Sequence, residues 1–190
     1  MTDIPKLRDV ATPGQILRNP VTGQDLVFRR TTADTGGEVL EVESIWHKNA
    51  DEPVEHFHPA QEEEFEVTAG RLGARVGGGE RVLSTGDTLT VPAGTPHAMW
   101  NASDGETRAI WETRPALKTE RFFETAWGLA DAGEVGKNGV PGPLQLAVMM
   151  REYDAEFRLT KPPRPLQVAV FAVLAPIGRL LGRRAYRPPS

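Results

Sequence analysis

The sequence contains no cysteine. That excludes disulfides, thiolate nucleophiles and cysteine-ligated metal sites. Histidine is scarce, with His47, His56, His58 and His97 as the four in the chain. Long apolar runs are lacking as well. The stretch 168–178 has no polar side chain, but Gln167 precedes it and Arg179 follows. A membrane-spanning helix needs about 20 apolar residues, so no span is expected. The first ten residues, M-T-D-I-P-K-L-R-D-V, lack the apolar core of a secretory signal. A cytoplasmic location is therefore expected, with membrane contact only at the periphery.

No charge of one sign dominates overall: 22 basic and 26 acidic residues give a net −4. The distribution is uneven. Residues 157–190 carry seven basic side chains (Arg158, Lys161, Arg164, Arg179, Arg183, Arg184, Arg187) and no acidic one. The rest of the chain is left with 15 basic and 26 acidic residues, a net −11. An acidic body argues against nucleic acid as a partner, while a basic, apolar tail suits an acidic protein face or anionic lipid headgroups.

What is plentiful is glycine (19) and proline (16), placed as turn signals between short apolar runs in a chain of 190 residues. That length suits one domain with its own core. Residues 1–20 read as an irregular lead-in. Residues 24–31 and 38–47 alternate with the period of two expected of half-buried strands, with Leu40, Val42, Ser44 and Trp46 on one face. Further strands are expected at 54–58, 63–69, 71–77, 80–84, 87–92, 97–101 and 106–113, with hairpin turns at Gly77-Gly78-Gly79 and Ser84-Thr85-Gly86-Asp87. Short strands at regular spacing predict a mainly β, closed or sandwiched antiparallel structure.

The pattern changes near residue 119. Residues 119–130 place Phe122, Phe123, Ala126, Trp127 and Ala130 on one helical face, with Thr119 as the expected N-cap. Residues 143–158 start with Pro143 in a first-turn position and place Leu146, Met149, Met150, Tyr153 and Phe157 on one stripe. A hinge, Lys161-Pro162-Pro163-Arg164-Pro165, leads to the apolar stretch 166–181. The expected division is a β-barrel with its lead-in over 1–118 and a helical extension over 119–190. The extension would pack on the barrel, on the partner of a homodimer, or on a membrane surface.

The chemistry-bearing residues converge on paper. His56 and His58 stand at i, i+2, which on a strand sends both imidazoles to one face. Glu63 follows in register with Phe65 and Val67, and His97 follows a Pro-x-Gly turn. Imidazole plus carboxylate suits iron, manganese, nickel or zinc as one divalent metal. Glu62 is the alternative carboxylate, and the run Glu62-Glu63-Glu64 could also be a solvated edge. His47 reads as a surface or pocket histidine, Asn101 as a turn-closing residue, and the four tryptophans as core.

These residues resemble the two motifs of the cupin superfamily. The segment H-F-H-P-A-Q-E-E-E-F-E-V-T-A-G (56–70) is similar to the first motif at His56, His58, Glu63 and Gly70. The segment G-D-T-L-T-V-P-A-G-T-P-H-A-M-W-N (86–101) is similar to the second at Gly86, Pro92, Gly94, His97 and Asn101. One position departs: Ala50 stands where the first motif would begin with glycine, at a turn and not at a ligand. The resemblance spans about residues 24–115 and leaves the C-terminal third unexplained. It implies a double-stranded β-helix, or jelly roll, with a metal at one end of its interior.

Within that family the ligand set His56, His58, Glu63 and His97 resembles that of quercetinase-like dioxygenases. Four protein ligands on a six-coordinate metal leave two positions for substrate oxygen and dioxygen, and Glu63 would be the catalytic proton acceptor. Strand parity turns Phe65, Val67 and Met99 inward with the ligands. Such an apolar lining suits a small aromatic or polyketide-like substrate bearing oxygen donors. A non-redox cyclase or isomerase and a non-catalytic small-molecule binder remain as alternatives, because a fold does not fix a reaction.

Overall fold

The computed structural model describes residues 11–48, 50 and 52–188. The expectations placed on residues 1–10 lie outside that range. Among the described residues eleven strands form two antiparallel sheets facing one another. The six-stranded sheet runs β1 (Ile16–Leu17), β2 (Gln24–Arg30), β3 (Leu40–Trp46), β10 (Thr107–Arg114), β5 (Glu62–Ala69), β8 (Thr88–Val91). The five-stranded sheet runs β11 (Arg158–Leu159), β4 (His56–Phe57), β9 (His97–Asn101), β6 (Arg71–Val76), β7 (Gly79–Ser84). This is a jelly roll with helices after it, the architecture expected.

The alternation in the sequence becomes the two faces of each sheet. Strand β3 buries Leu40, Val42, Ser44 and Trp46 and leaves the residues between them half-buried. Strand β5 buries Glu63, Phe65 and Val67 and exposes Glu62, Glu64 and Glu66. A shift of one residue would put three apolar or ligand positions in water, so the register is strongly specified. Two turns need glycine. The β6–β7 hairpin reverses at Gly77 and Gly78, with φ of 57° and 85°, the doubly positive pair that fits a right-twisted hairpin. Gly70 has φ of 75°, and a Cβ there would lie 2.6 Å from the Glu106 carbonyl oxygen.

Three expectations are corrected. The lead-in is not wholly irregular, since Ile16–Leu17 pairs with Leu26 and Val27 of β2. Thr119 does not cap helix α2 (Thr119–Asp131). Lys118 holds the N-cap position without a side-chain bond, and the Thr119 hydroxyl instead accepts from Gln61 Nε2 at 2.8 Å. The apolar stripe at 143–158 is not one helix. Helix α3 covers Pro143–Glu152 and closes at Tyr153. Beyond it the chain is drawn into β pairing, Arg158 opposite Phe57 and Leu159 opposite His56. Asp154 holds that corner by accepting from Arg158 and Arg164 at 2.7 and 2.5 Å.

Helices α2 and α3 lie over one end of the barrel. Trp111 of β10 meets Phe123 of α2 with ring centroids 4.9 Å apart, and Phe122 meets Tyr153 at 5.5 Å. Helix α4 (Arg164–Leu180) packs on α3, burying Gln167, Phe171, Ala175 and Gly178. The approach is close at Gly178, where a Cβ would sit 2.9 Å from the Leu144 carbonyl oxygen. The apolar tail is thus only half covered.

Candidate metal centre

Three histidines and one glutamate meet where the two sheets face each other. His56 on β4 and His97 on β9 are direct cross-strand partners. His58 lies just past the end of β4, so the expected strand over 54–58 is shorter than read, yet its ring still turns inward. Ring centroids are 4.5 Å apart for His56 and His97 and 5.1 Å for His58 and each of the other two. One ring nitrogen from each histidine lies within 4.8 Å of the other two. Glu63 comes from β5 in the opposite sheet, with Oε1 at 3.0 Å from His58 Nε2 and Oε2 at 2.9 Å from His97 Nε2.

Each imidazole is oriented by a backbone carbonyl. His56 Nδ1 is 2.9 Å from the Val54 oxygen, His97 Nδ1 is 2.9 Å from the Thr95 oxygen, and His58 Nδ1 is 2.5 Å from the Glu156 oxygen. A carbonyl only accepts, so all three Nδ1 atoms carry the hydrogen and donate. That leaves Nε2 of each ring as the free lone pair, turned toward the others and toward Glu63. Fixing the tautomer through the second nitrogen is how metal-binding histidines are held.

The electrostatics are those of a site built for a cation. Burial pushes His56 down to about 3, helped by the neighbouring His97 and His58. Burial also lowers His58, partly opposed by the Glu63 charge. For His97 burial acts downward too, but the Glu63 hydrogen bond and charge outweigh it and raise the ring. Burial would raise Glu63, yet His58 and His97 overcome it and hold the carboxyl at about 2. Glu63 Oε1 additionally accepts from Trp111 Nε1–H at 3.0 Å.

With all three Nδ1 atoms protonated and the rings neutral, His58 Nε2 and Glu63 Oε2 are buried with no donor to satisfy them; only a protonated His97 could donate to Oε2. An unsatisfied lone pair facing a buried carboxylate is costly unless a cation lies between them. The donor set therefore fits a divalent transition metal held by three imidazoles and a carboxylate. The fit concerns borderline metals of the iron–zinc range, since neither thiolate nor an oxygen-only shell is present.

Beside these rings lies a cavity of about 180 Å³. His56, His58 and His97 form one part of its wall, and Phe65, Met99, Trp46, Trp111, Phe122 and Phe157 form much of the rest. Of the three residues expected to line it, Phe65 and Met99 do. Val67 does not, although it is buried on the same face of β5. Two residues farther along the strand, Val67 faces core and not cavity. Helices α2 and α3 contribute Phe123, Ala126, Trp127, Leu146, Met149 and Met150, and Asn19, Thr22, Gln24 and Asn138 supply amides and a hydroxyl. The sequence showed α2 and α3 as apolar stripes, but nothing in it said that they face this cavity. Phe157 is the clearest omission. Its ring stacks on His56 at 4.6 Å, yet helical spacing alone read it as core.

The remaining candidates fall outside the centre. Glu62 is exposed, which separates it from Glu63. His47 is exposed and lies 3.1 Å from Asp25 and 3.4 Å from Glu106. Asn101 closes its turn, donating from Nδ2 to the carbonyls of Trp46, His47 and Gly105 and accepting from Ser103 N–H.

Residues 42–112 match the family model of the cupin domain. No curated protein matches the chain. Among solved structures, an RmlC-like cupin from Shewanella frigidimarina is similar at 19% identity, with 58% of this chain and 97% of that one covered and a TM-score of 0.47. A sugar phosphate isomerase from a cupin superfamily, from Silicibacter pomeroyi, is 23% identical over 56% of this chain and 69% of that one, with a TM-score of 0.44. KdgF from Halomonas sp. is 19% identical over 49% of this chain and 79% of that one, with a TM-score of 0.43.

Proposed function

We propose that this cupin domain serves a metal-dependent, dioxygenase-like enzyme whose substrate is a single-ring apolar or aromatic molecule with adjacent oxygen donors. The observation that carries this reading is the meeting of three imidazole Nε2 atoms and one carboxylate beside a cavity otherwise walled by aromatic and aliphatic side chains. A divalent metal on His56, His58, His97 and Glu63 would supply Lewis acidity and, for iron, manganese or nickel, redox exchange with oxygen.

The cavity sets the substrate class. Its volume, about 180 Å³, compares with the roughly 150 Å³ of an engineered aliphatic cavity that binds benzene. That suits one ring better than a three-ring flavonoid. Among the described residues no Lys, Arg, Asp or Glu lines it, so the metal would be the one positive charge there and the rest of the wall favours an apolar ring. Phe65 and Trp111, stacked at 5.3 Å, offer flat surfaces for an aromatic ring. Asn19, Thr22, Gln24 and Asn138 can hydrogen-bond substrate oxygens away from the histidines.

Glu63 is the catalytic residue of this reading. Its depression comes from positive charge on His58 and His97. A bound divalent cation would act in the same direction as those charges, so Glu63 would become an acceptor of a substrate hydroxyl proton by loosening from the metal. Trp111 Nε1–H holds Oε1, and Oε2, beside His97 Nε2 at 2.9 Å, would be the oxygen that takes the proton.

The test is oxygen uptake by metal-stripped protein reloaded separately with iron(II), manganese(II), nickel(II) and zinc(II), against single-ring catechol and enol substrates. Uptake that needs both a redox metal and substrate, and that vanishes in Glu63→Gln, supports the proposal. Turnover with zinc under nitrogen would reassign the site to a non-redox cyclase or isomerase. Ligand binding with no turnover under any metal would make it a binding module.

A further inference from the structure

We infer that helix α4 docks this protein on an anionic lipid surface, lying in the plane of the headgroups. The helix has two distinct faces. Gln167, Phe171, Ala175 and Gly178 are buried toward α3. On the opposite side Leu166, Val170, Val173, Ile177 and Leu180 recur at spacings of four and three, which places them in one stripe along the helix. All five are exposed, from 39% for Val170 to 62% for Val173 and 87% for Leu180. Five large aliphatic side chains in a continuous exposed row mark a surface that meets something.

Charge decides what it meets. Every side chain in 157–190 that is charged at neutral pH is basic. Lys161 and Arg164 stand at the N-terminal end of the stripe and Arg179, Arg183 and Arg184 at the C-terminal end. Among the described residues Lys161, Arg179 and Arg184 form no salt bridge, while Arg164, Arg183 and Arg187 reach Asp154 or Glu134. A second copy of this chain fits poorly. The stripe has cations at both ends, so parallel and antiparallel pairing alike would bring like charges together. Its size is also small. A helix of 17 residues is about 25 Å long and about 10 Å wide, so two stripes would bury roughly 500 Å², below the roughly 1,000 Å² of a specific interface.

An anionic bilayer surface answers both features, taking the apolar row into the acyl boundary and the flanking cations among its headgroups. The helix lies on such a surface and does not cross it, since no helix among the described residues is long and apolar enough to span a membrane. The inference is independent of the reaction proposed above.

Full-length protein is to be sedimented with phosphatidylglycerol-containing vesicles and with pure phosphatidylcholine vesicles at low and physiological salt. The expected result is at least tenfold more protein bound to the anionic vesicles at low salt, with weakening as salt rises. Val173→Asp with Ile177→Asp should abolish binding, and Arg179→Gln with Arg184→Gln should reduce it severalfold. Both pairs lie on exposed positions, and unchanged circular dichroism and melting show that the fold survives. Light scattering supplies the opposing outcome. If the protein stays unbound at low salt, or if Val173→Asp with Ile177→Asp dissociates a dimer or leaves vesicle binding intact, the inference fails.

Discussion

The ring of Phe157 lies against that of His56, with centroids 4.6 Å apart and planes 22° apart. One residue earlier, the Glu156 carbonyl takes the hydrogen of His58 Nδ1. Two residues later, Leu159 pairs with His56 across the β11–β4 ladder. A segment outside the 42–112 cupin match therefore orients two of the three imidazoles.

Phe157→Ala removes the stacking surface and one wall of the cavity while leaving every ligand in place. Partners that orient metal ligands are worth about 10–100-fold in affinity. Chelator competition on the purified variant should show metal binding weakened by about tenfold. Unchanged affinity would mean that the stacked ring packs against His56 without holding it.

Ligand identity is tested by loss of metal. His56→Ala and His58→Ala should each empty the site, because three nitrogen donors become two in a buried cluster. His47→Ala should keep full metal content, since His47 sits on the surface beside Asp25 and Glu106. Elemental analysis of untagged protein reads this directly, and equal metal in all three variants would refute the assignment.

Much of this centre was legible because β structure has a short period. The i, i+2 spacing of His56 and His58, the parity of Glu63 with Phe65, and His97 after a Pro-x-Gly turn each fix a side chain to one face. The Glu62–Glu64 run was ambiguous as charge and is resolved by parity. Parity failed at Val67, because it gives the face of a strand and not the depth along it. The helices were harder. The stripe from Leu146 to Phe157 reads as one helix, but the helix stops at Glu152 and the partner that takes Arg158 and Leu159 into a ladder is β4, about a hundred residues earlier. No local pattern carries a pairing of that range. The same limit hid the role of Glu156, which acts through its backbone carbonyl and so leaves no trace in side-chain chemistry.

Met99 tests the cavity separately from the metal. It lies on β9 two residues beyond His97, is buried, and lines the cavity. Met99→Trp should fill much of the space and cut ligand binding by at least tenfold with metal content retained. Overpacking costs about 1–3 kcal/mol, so a melting curve should show a modest loss as well. Binding that survives the tryptophan would place the ligand elsewhere.

Acid stability tests the electrostatics of the metal-stripped protein. The folded state keeps His56 neutral down to about 3, against an ordinary value of 6.5, chiefly because the half-buried ring is desolvated. Between those values the unfolded chain holds a proton that the folded chain refuses, so stability rises with pH across this window. The contribution is complete above 6.5 and is lost progressively as pH falls toward 3. His58, also lowered by burial, acts in the same sense. Glu63 joins below 4.5, because its folded value is held at about 2 by His58 and His97 despite burial. His97 opposes them: Glu63 overcomes its burial and raises it, so its stabilisation is present below 6.5 and is lost as pH rises through the raised value. Two lowered histidines against one raised histidine predict a net fall in melting temperature from pH 6.5 to 4.5. Replacing His56 by Ala removes one of the two unfavourable protonations, so the variant should lose less over the same interval. Differential scanning calorimetry on chelator-treated protein reads both slopes. Parallel slopes for the two proteins would show that His56 titrates in the fold much as it does in the unfolded chain, and the picture of a desolvated, neutral imidazole waiting for a cation would have to be abandoned.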